Sequence, residues 1–234
     1  MSLALRIHPI RGPLRRWAWE HPQSWSLVLA AGAWAAMVPH GLHAGHHEHR
    51  MSALQEAQGW MLMVGAMMLP LLGEQLKEVA FRNFPARRHA AMALFLLGYL
   101  VPWGVMAAPV AWMREQPWGH HPVAPVVAFA VGALWVLTPA WERAHRTGHA
   151  LRPLAPTGWA WTRDTSRLGM RQGVACAATC LPIMLGCALS GHALYAMLGG
   201  FILGLFERRS FWPPRRRLAA GCVLLALWAG VLAA

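Results

Sequence analysis

The chain has 234 residues, of which 56% are hydrophobic and only 13% charged, and its formal net charge is +12. Soluble domains usually carry about a quarter charged residues, so this composition argues against an ordinary soluble protein and points to a membrane. The basic residues occur in short blocks between long apolar segments, which is typical of membrane topology rather than of nucleic-acid binding. The four cysteines are few and lie in apolar segments, which argues against a disulfide framework.

Seven apolar segments are candidates for transmembrane helices, because crossing a bilayer of about 30 Å requires roughly 20 apolar residues. The predicted fold is an all-α, polytopic transmembrane helical bundle. The sixth segment is short, and the count falls to six if that segment is re-entrant. The segments are Trp25–Leu42, Ala57–Gly73, Ala91–Trp112, Val123–Trp141, Gly169–Leu189, Ala193–Phe206 and Leu218–Ala233.

The distribution of charge predicts the orientation. With the N-terminus inside, nineteen of the 21 Lys and Arg residues fall on the inner side, as the positive-inside rule requires. We therefore predict a multi-pass protein of the bacterial inner membrane, with the N-terminus inside and the C-terminus outside. The basic N-terminal region lacks a small-residue cleavage site. Residues 1–24 are predicted to form a cytoplasmic segment, and residues 25–234 a single transmembrane helical domain.

Histidines cluster in the first predicted outer loop, where residues 40–49 contain five of them. Neutral imidazole is a suitable ligand for Cu(II), Zn(II) and Ni(II), so this loop is a candidate for collecting a metal ion. The alternative is a flexible polar loop without a ligand. The candidate ligands are His43, His46, His47 and His49.

The second apolar segment contains Met67 and Met68 within a methionine-rich run. Methionine usually fills gaps in apolar packing, which is the simpler interpretation. However, Met67 is predicted to lie at the same depth as Cys176 and to meet it if the second and fifth helices pack together. Both thioethers are therefore candidate metal ligands.

Two prolines are predicted to interrupt helices near these sulfurs. Pro70 and Pro182 each remove one intrahelical hydrogen bond, which leaves the carbonyl groups of Ala66 and Ala178 to find other partners. Such breaks often adjoin binding sites in membrane carriers, although prolines also serve packing alone.

A second pair of histidines, His145 and His149, follows the fourth segment at a spacing of four residues. If this stretch is helical, both imidazoles lie on one face and can share a metal ion. The alternative is a basic loop at the membrane surface in which both histidines merely titrate.

The fifth segment carries the most specific pattern in the chain. Cys176, Cys180, Met184 and Cys187 have offsets of four, eight and eleven residues, and on a helix they fall within one face about 80° wide. Thiolate and thioether groups favour Cu(I). The alternative is that these sulfurs are ordinary core packing.

Together, these motifs resemble a bacterial family of unknown function described as predicted metal-binding integral membrane proteins. The resemblance covers about residues 57–209. It implies a membrane protein with a metal site and brings no established activity. In that family the segment after Thr-Pro carries two cysteines where this chain has His145 and His149. The motifs are Ala66-Met-Met-Leu-Pro70, Leu137-Thr-Pro139, Gly169-x3-Gly173-x2-Cys176-x3-Cys180-x3-Met184 and Glu207-Arg208.

Three classes of function follow from these observations. The first is a metal-handling protein that binds, transports or delivers copper through the outer histidines and the intramembrane Cys and Met residues. The second is a non-catalytic accessory or assembly subunit of a membrane complex, whose fourteen tryptophans form interfacial belts and packing surfaces. The third, an enzyme, is the least supported, because no set of nucleophile, base and acid is apparent.

Overall fold

The computed structural model describes residues 12–42, 52–150, 154–155, 157–209 and 214–233, and all regular structure in these ranges is helical. The predicted all-α class is therefore confirmed. Short 3-10 turns at Pro85–Arg87 and Pro117–His120 flank the fifth α-helix. The α-helices are α1 (Pro13–Glu20), α2 (Ser24–Leu42), α3 (Ala53–Leu71), α4 (Gly73–Phe81), α5 (Arg88–Glu115), α6 (Val123–Val136), α7 (Pro139–His149), α8 (Gly158–Leu189), α9 (Leu194–Arg208) and α10 (Arg215–Ala233).

Two of these helical segments are long and apolar enough to cross a membrane by themselves, Pro85–Glu115 and Gly158–Leu189. Two bent pairs, α3 with α4 and α6 with α7, each qualify as one broken span, which gives two to four candidate spans among the described residues. α9 rises only about 22 Å, and α10 begins with three arginines. The predicted count of seven and the predicted orientation therefore stay predictions.

The predicted fourth span, Val123–Trp141, is not one continuous helix. α6 ends at Val136, and α7 starts at Pro139 after a bend of 79°. Thr138 explains the new start, because its hydroxyl accepts a hydrogen bond from the Trp141 N–H at 3.2 Å and so caps α7. This bend turns the polar α7 towards the side of α8.

α3 and α4 meet at a bend of 63°. The bend lies close to the break that the sequence predicts at Pro70. Pro70 lies inside α3, one residue before the helix ends at Leu71. The other predicted break is different, because α8 continues as a helix past Pro182. The Ala178 carbonyl that this proline leaves free accepts a hydrogen bond from the Trp135 indole at 2.7 Å.

The tightest contact in the bundle joins α5 to α8 through glycines. A Cβ atom at Gly98 would lie 2.2 Å from the Ser166 carbonyl oxygen, and one at Gly173 would lie 2.3 Å from that of Tyr99. Only glycine allows the two backbones to approach this closely. The contact fixes Tyr99 of α5 against the turn of α8 that contains Cys176.

A buried ion pair lies where α3 begins and where α5 and α8 end. Arg114 Nε is 3.4 Å from Glu56 Oε2, and both side chains are less than one tenth exposed. Arg114 also donates a hydrogen bond to the Leu189 carbonyl at 3.3 Å. The arginine therefore joins three helices of the core, and Glu56 is a buried acid rather than a loop residue.

Candidate metal centre

Three sulfur atoms meet in the interior of the bundle. Cys176 Sγ lies 3.7 Å from Met68 Sδ and 3.9 Å from Cys180 Sγ. Cys176, Cys180 and Met68 are each at most 5% exposed. The two cysteines share one face of α8, whereas Met68 comes from α3. We call these three residues the sulfur triangle.

Two of the separations within the sulfur triangle are compatible with a single soft metal ion. Metal–sulfur bonds of about 2.3 Å place two sulfur ligands about 3.8 Å apart in a tetrahedral site and about 4.0 Å apart in a trigonal one. The separations of Cys176 Sγ from the other two sulfurs, 3.7 and 3.9 Å, lie near these values. Cys176 can therefore share one ion with either sulfur without a large movement of the helices.

Tyr99 completes the surroundings of Cys176. Its hydroxyl donates a hydrogen bond to Cys176 Sγ at 3.1 Å, and the tyrosine is fully buried. A donor to sulfur stabilises the thiolate form that a metal ion requires and fixes its direction. Tyr99 therefore supports the sulfur triangle without being a ligand.

Glu207 of α9 connects the sulfur triangle to the histidines of α7. One carboxylate oxygen lies 3.8 Å from Cys180 Sγ, and the other lies 3.2 Å from His145 Nδ1. Both Glu207 and His145 are 4% exposed. Because Nδ1 faces the carboxylate, Nε2 is the ring nitrogen left for a metal, and within the described residues Nε2 has no hydrogen-bond partner.

The helical spacing of the α7 histidines brings their rings together, as the sequence predicts. The His145 and His149 ring centroids are 4.6 Å apart, and His145 stacks on Trp141 at 5.1 Å. His149 is less buried than His145 and lies closer to the protein surface. The pair lies between the sulfur triangle and the surface of the bundle.

A small cavity of about 10 Å³ separates α7, α8 and α9. This is about the space of one water molecule. Its lining includes His145, His149, Cys176, Glu207 and Arg208. The imidazole pair and the sulfur triangle therefore adjoin the same cavity.

Arg208 provides a positive charge beside these groups. Its guanidinium interacts electrostatically with Cys176, Tyr99 and Cys180. The Gln75 amide, oriented so that its oxygen faces the guanidinium, accepts a hydrogen bond from Arg208 Nη1 at 3.0 Å. Arg208 is therefore held from α4 and lines the same cavity as Cys176 of α8.

Other candidate sulfurs occupy different surroundings. Met67 directs its terminal methyl group to Gly200, and Cys187 lies beside the same glycine with its thiol 3.3 Å from the Ala196 carbonyl oxygen. Met68, rather than Met67, is therefore the methionine beside Cys176. Met184 is fully buried in the core.

The structure tests only part of the predicted ligand set. Among the residues that it describes, no three imidazole, thiol or carboxylate groups form a preformed metal-binding cluster. The thioether of Met68 lies beside Cys176. The outer-loop candidates His43, His46, His47 and His49 lie outside the described residues.

Several residues around the sulfurs were not singled out as ligands or partners by the sequence. Tyr99 gives no signal, because its position depends on the register between α5 and α8. Glu207 and Arg208 have a signal, since they close the motif series, and Glu207 is buried. Their contact with Cys180 and Cys176 requires the tertiary structure.

Comparison with known proteins gives one match. A family model described as PpoB2, copper chaperone, matches residues 57–232, which is well over half of the chain. No curated protein and no solved structure matches the chain. The match supports a copper-related function and suggests a non-catalytic role. The chain belongs to the PpoB2 copper chaperone family.

Proposed function

We propose that the protein binds Cu(I) within the bacterial inner membrane at Met68, Cys176 and Cys180 and delivers it to another copper protein. The observation that carries this proposal is the position of the buried Cys176 sulfur, 3.7 Å from Met68 Sδ and 3.9 Å from Cys180 Sγ. Thiolate and thioether ligands favour Cu(I), and the family supports copper as the ion. Copper is the cargo of this site rather than a resident cofactor.

Burial explains why the site would bind a cation. A thiolate in apolar surroundings is costly unless a positive charge compensates it. A bound Cu(I) supplies that charge, and the neighbouring Tyr99 and Arg208 stabilise the remaining negative charge. We infer that Cys176 and Cys180 bind Cu(I) as thiolates.

His145 and His149 supply ligands through which the ion exchanges with the sulfur triangle. Glu207 contacts both Cys180 and His145, and the His149 ring lies nearer the surface. Imidazole binds copper less selectively than thiolate. This order of ligands, from buried sulfur to less buried nitrogen, suits release of the ion to a partner.

The outer loop and the remaining methionines extend this proposal. His43, His46, His47 and His49 are proposed to collect copper before it reaches the membrane interior. Met67 and Met184 add thioethers along the buried core. The partner that receives the ion is proposed to be a copper-containing subunit or enzyme at the same membrane.

Metal binding by the purified protein tests the proposal. Wild-type protein in mild detergent should bind Cu(I) in competition with a chromophoric chelator, and Cys176→Ser with Cys180→Ser should abolish that binding while the fold is retained. Met68→Leu keeps the volume and removes one sulfur, so we expect a smaller loss. Cys222→Ser is the matched control, since Cys222 is a buried thiol of α10 outside the site. If the double variant binds Cu(I) as tightly as wild type, the sulfur triangle is core packing and the accessory-subunit interpretation is favoured.

Labelling tests the proposed orientation in the membrane. All four native cysteines are buried, so an introduced surface cysteine gives the main signal with an impermeant thiol reagent. Leu54 and Phe84 are 68% and 58% exposed. Leu54→Cys should react from the periplasmic side and Phe84→Cys should not. The reverse pattern would contradict the orientation, and labelling of both would contradict the number of spans.

A further inference from the structure

The charge of Arg208 faces the proposed copper site, although an arginine cannot bind a metal ion. Arg208 lines the cavity of about 10 Å³ together with Cys176, His145 and His149. Arginine stays charged under all conditions in which proteins are folded. A cation that enters the site is therefore repelled by Arg208.

Two structural features place this charge at the site. Gln75 of α4 accepts a hydrogen bond from Arg208 Nη1 at 3.0 Å. At Gly148 of α7, a Cβ atom would lie 4.0 Å from the same nitrogen and 3.5 Å from Ala175. The guanidinium therefore lies beside Gly148 of α7, at the contact of α7 with α8.

We propose that Arg208 is the specificity-determining residue that makes the sulfur triangle select a monovalent over a divalent soft ion. Coulomb repulsion from a fixed positive charge is twice as large for an ion of charge two as for an ion of charge one, and low-dielectric surroundings strengthen it. Thiolate ligands alone also bind Zn(II) well. The ligands therefore select soft ions, and Arg208 selects among them by charge. This inference rests on the proposed function.

Two metal ions with the same number of electrons but different charge can be compared to isolate the effect of charge on binding. Cu(I) and Zn(II) have the same number of electrons, as do Ag(I) and Cd(II), and within each pair the charge differs by one. The measurement is the ratio of the monovalent to the divalent affinity, determined by chelator competition for the purified full-length protein. A general loss of folding lowers both affinities. It should not shift the ratio in the same direction for the Cu(I)/Zn(II) pair and the Ag(I)/Cd(II) pair.

Removing a positive charge and removing a negative charge from the cavity should move the affinity ratio in opposite directions. Arg208→Gln should lower the ratio by about tenfold or more, and Arg208→Lys, which keeps the charge, should restore most of it. Glu207→Gln removes a negative charge from the same cavity and should raise the ratio. Arg209→Gln, at the exposed neighbouring residue, should leave it unchanged.

The outcomes distinguish this inference from the proposed function. If wild-type protein binds neither Cu(I) nor Ag(I), the proposed function is wrong. If wild-type protein binds Cu(I) but the ratio is the same in Arg208→Gln, or if Arg208→Gln and Glu207→Gln shift it in the same direction, Arg208 does not determine specificity. If Arg208→Gln does not fold, the ratios for Arg208→Lys and Glu207→Gln decide, and an unchanged ratio in Glu207→Gln overturns the proposal.

Discussion

Trp135 of α6 donates its indole N–H to the Ala178 carbonyl of α8 at 2.7 Å. Pro182, four residues after Ala178, cannot supply the usual intrahelical donor for that carbonyl. Ala178 lies between Cys176 and Cys180 along the chain. The hydrogen bond from α6 therefore satisfies the backbone at the turn of α8 that carries both thiols.

Trp135→Phe should destabilise the protein and loosen this turn of α8. The substitution leaves a partly buried carbonyl without its donor, and hydrogen bonds between transmembrane helices contribute about 0.6 to 2 kcal/mol. We expect a lower thermal unfolding midpoint in detergent and a modest loss of Cu(I) affinity. Trp228→Phe is the control, since Trp228 is 57% exposed on α10. Equal effects of the two substitutions would contradict a role for the hydrogen bond.

Gly98→Ala should separate α5 from α8. Its new Cβ atom would lie 2.2 Å from the Ser166 carbonyl oxygen, and a backbone atom cannot move aside without moving its helix. Overpacking of this kind costs about 1 to 3 kcal/mol or more. Thermal unfolding of the detergent-solubilised protein measures this cost.

Gly104→Ala in the same helix provides the comparison. Nothing lies within 4 Å of a Cβ atom at Gly104, and alanine is the better helix former, so the stability should be unchanged or slightly higher. If both α5 glycines tolerate alanine equally, the close approach of α5 and α8 is not required.

Tyr99→Phe should weaken Cu(I) binding without unfolding the protein. It removes the hydroxyl that lies 3.1 Å from Cys176 Sγ and keeps the ring. Loss of a partner that orients a metal ligand typically lowers affinity by about tenfold or more. Chelator competition measures the change. Tyr195→Phe, at a partly buried tyrosine of α9, should have no effect, and equal affinities of Tyr99→Phe and wild type would show that the Tyr99 hydroxyl does not support the site.

Removal of Arg114 should destabilise the bundle far from the sulfurs. Arg114→Met leaves the Glu56 carboxylate buried without its ion-pair partner, at a cost of about 3 to 5 kcal/mol. The double variant Glu56→Gln, Arg114→Met should recover part of this loss, because no unpaired charge is then buried. Unfolding midpoints of the three proteins test this order, and a double variant less stable than Arg114→Met would contradict it.

The sequence determined the helical class and the local spacing of the ligands. Its apolar segments are helical apart from the breaks between α3 and α4 and between α6 and α7, and the four-residue spacings bring Cys176 close to Cys180 and His145 close to His149. These features depend on helical periodicity alone, which is a local property. The proline pattern also identified Ala178 as a carbonyl that needs another partner.

The tertiary structure decided which distant residues join these pairs. Met68 rather than Met67 reaches Cys176, because the rotation of α3 about its own axis is set by packing against its neighbours. The contacts of Tyr99 with Cys176 and of Glu207 with both Cys180 and His145 depend in the same way on the register between packed helices. Periodicity within one helix carries no information on the register between two helices. Between α5 and α8, that register depends on glycine contacts such as those of Gly98 and Gly173 with the opposite backbone.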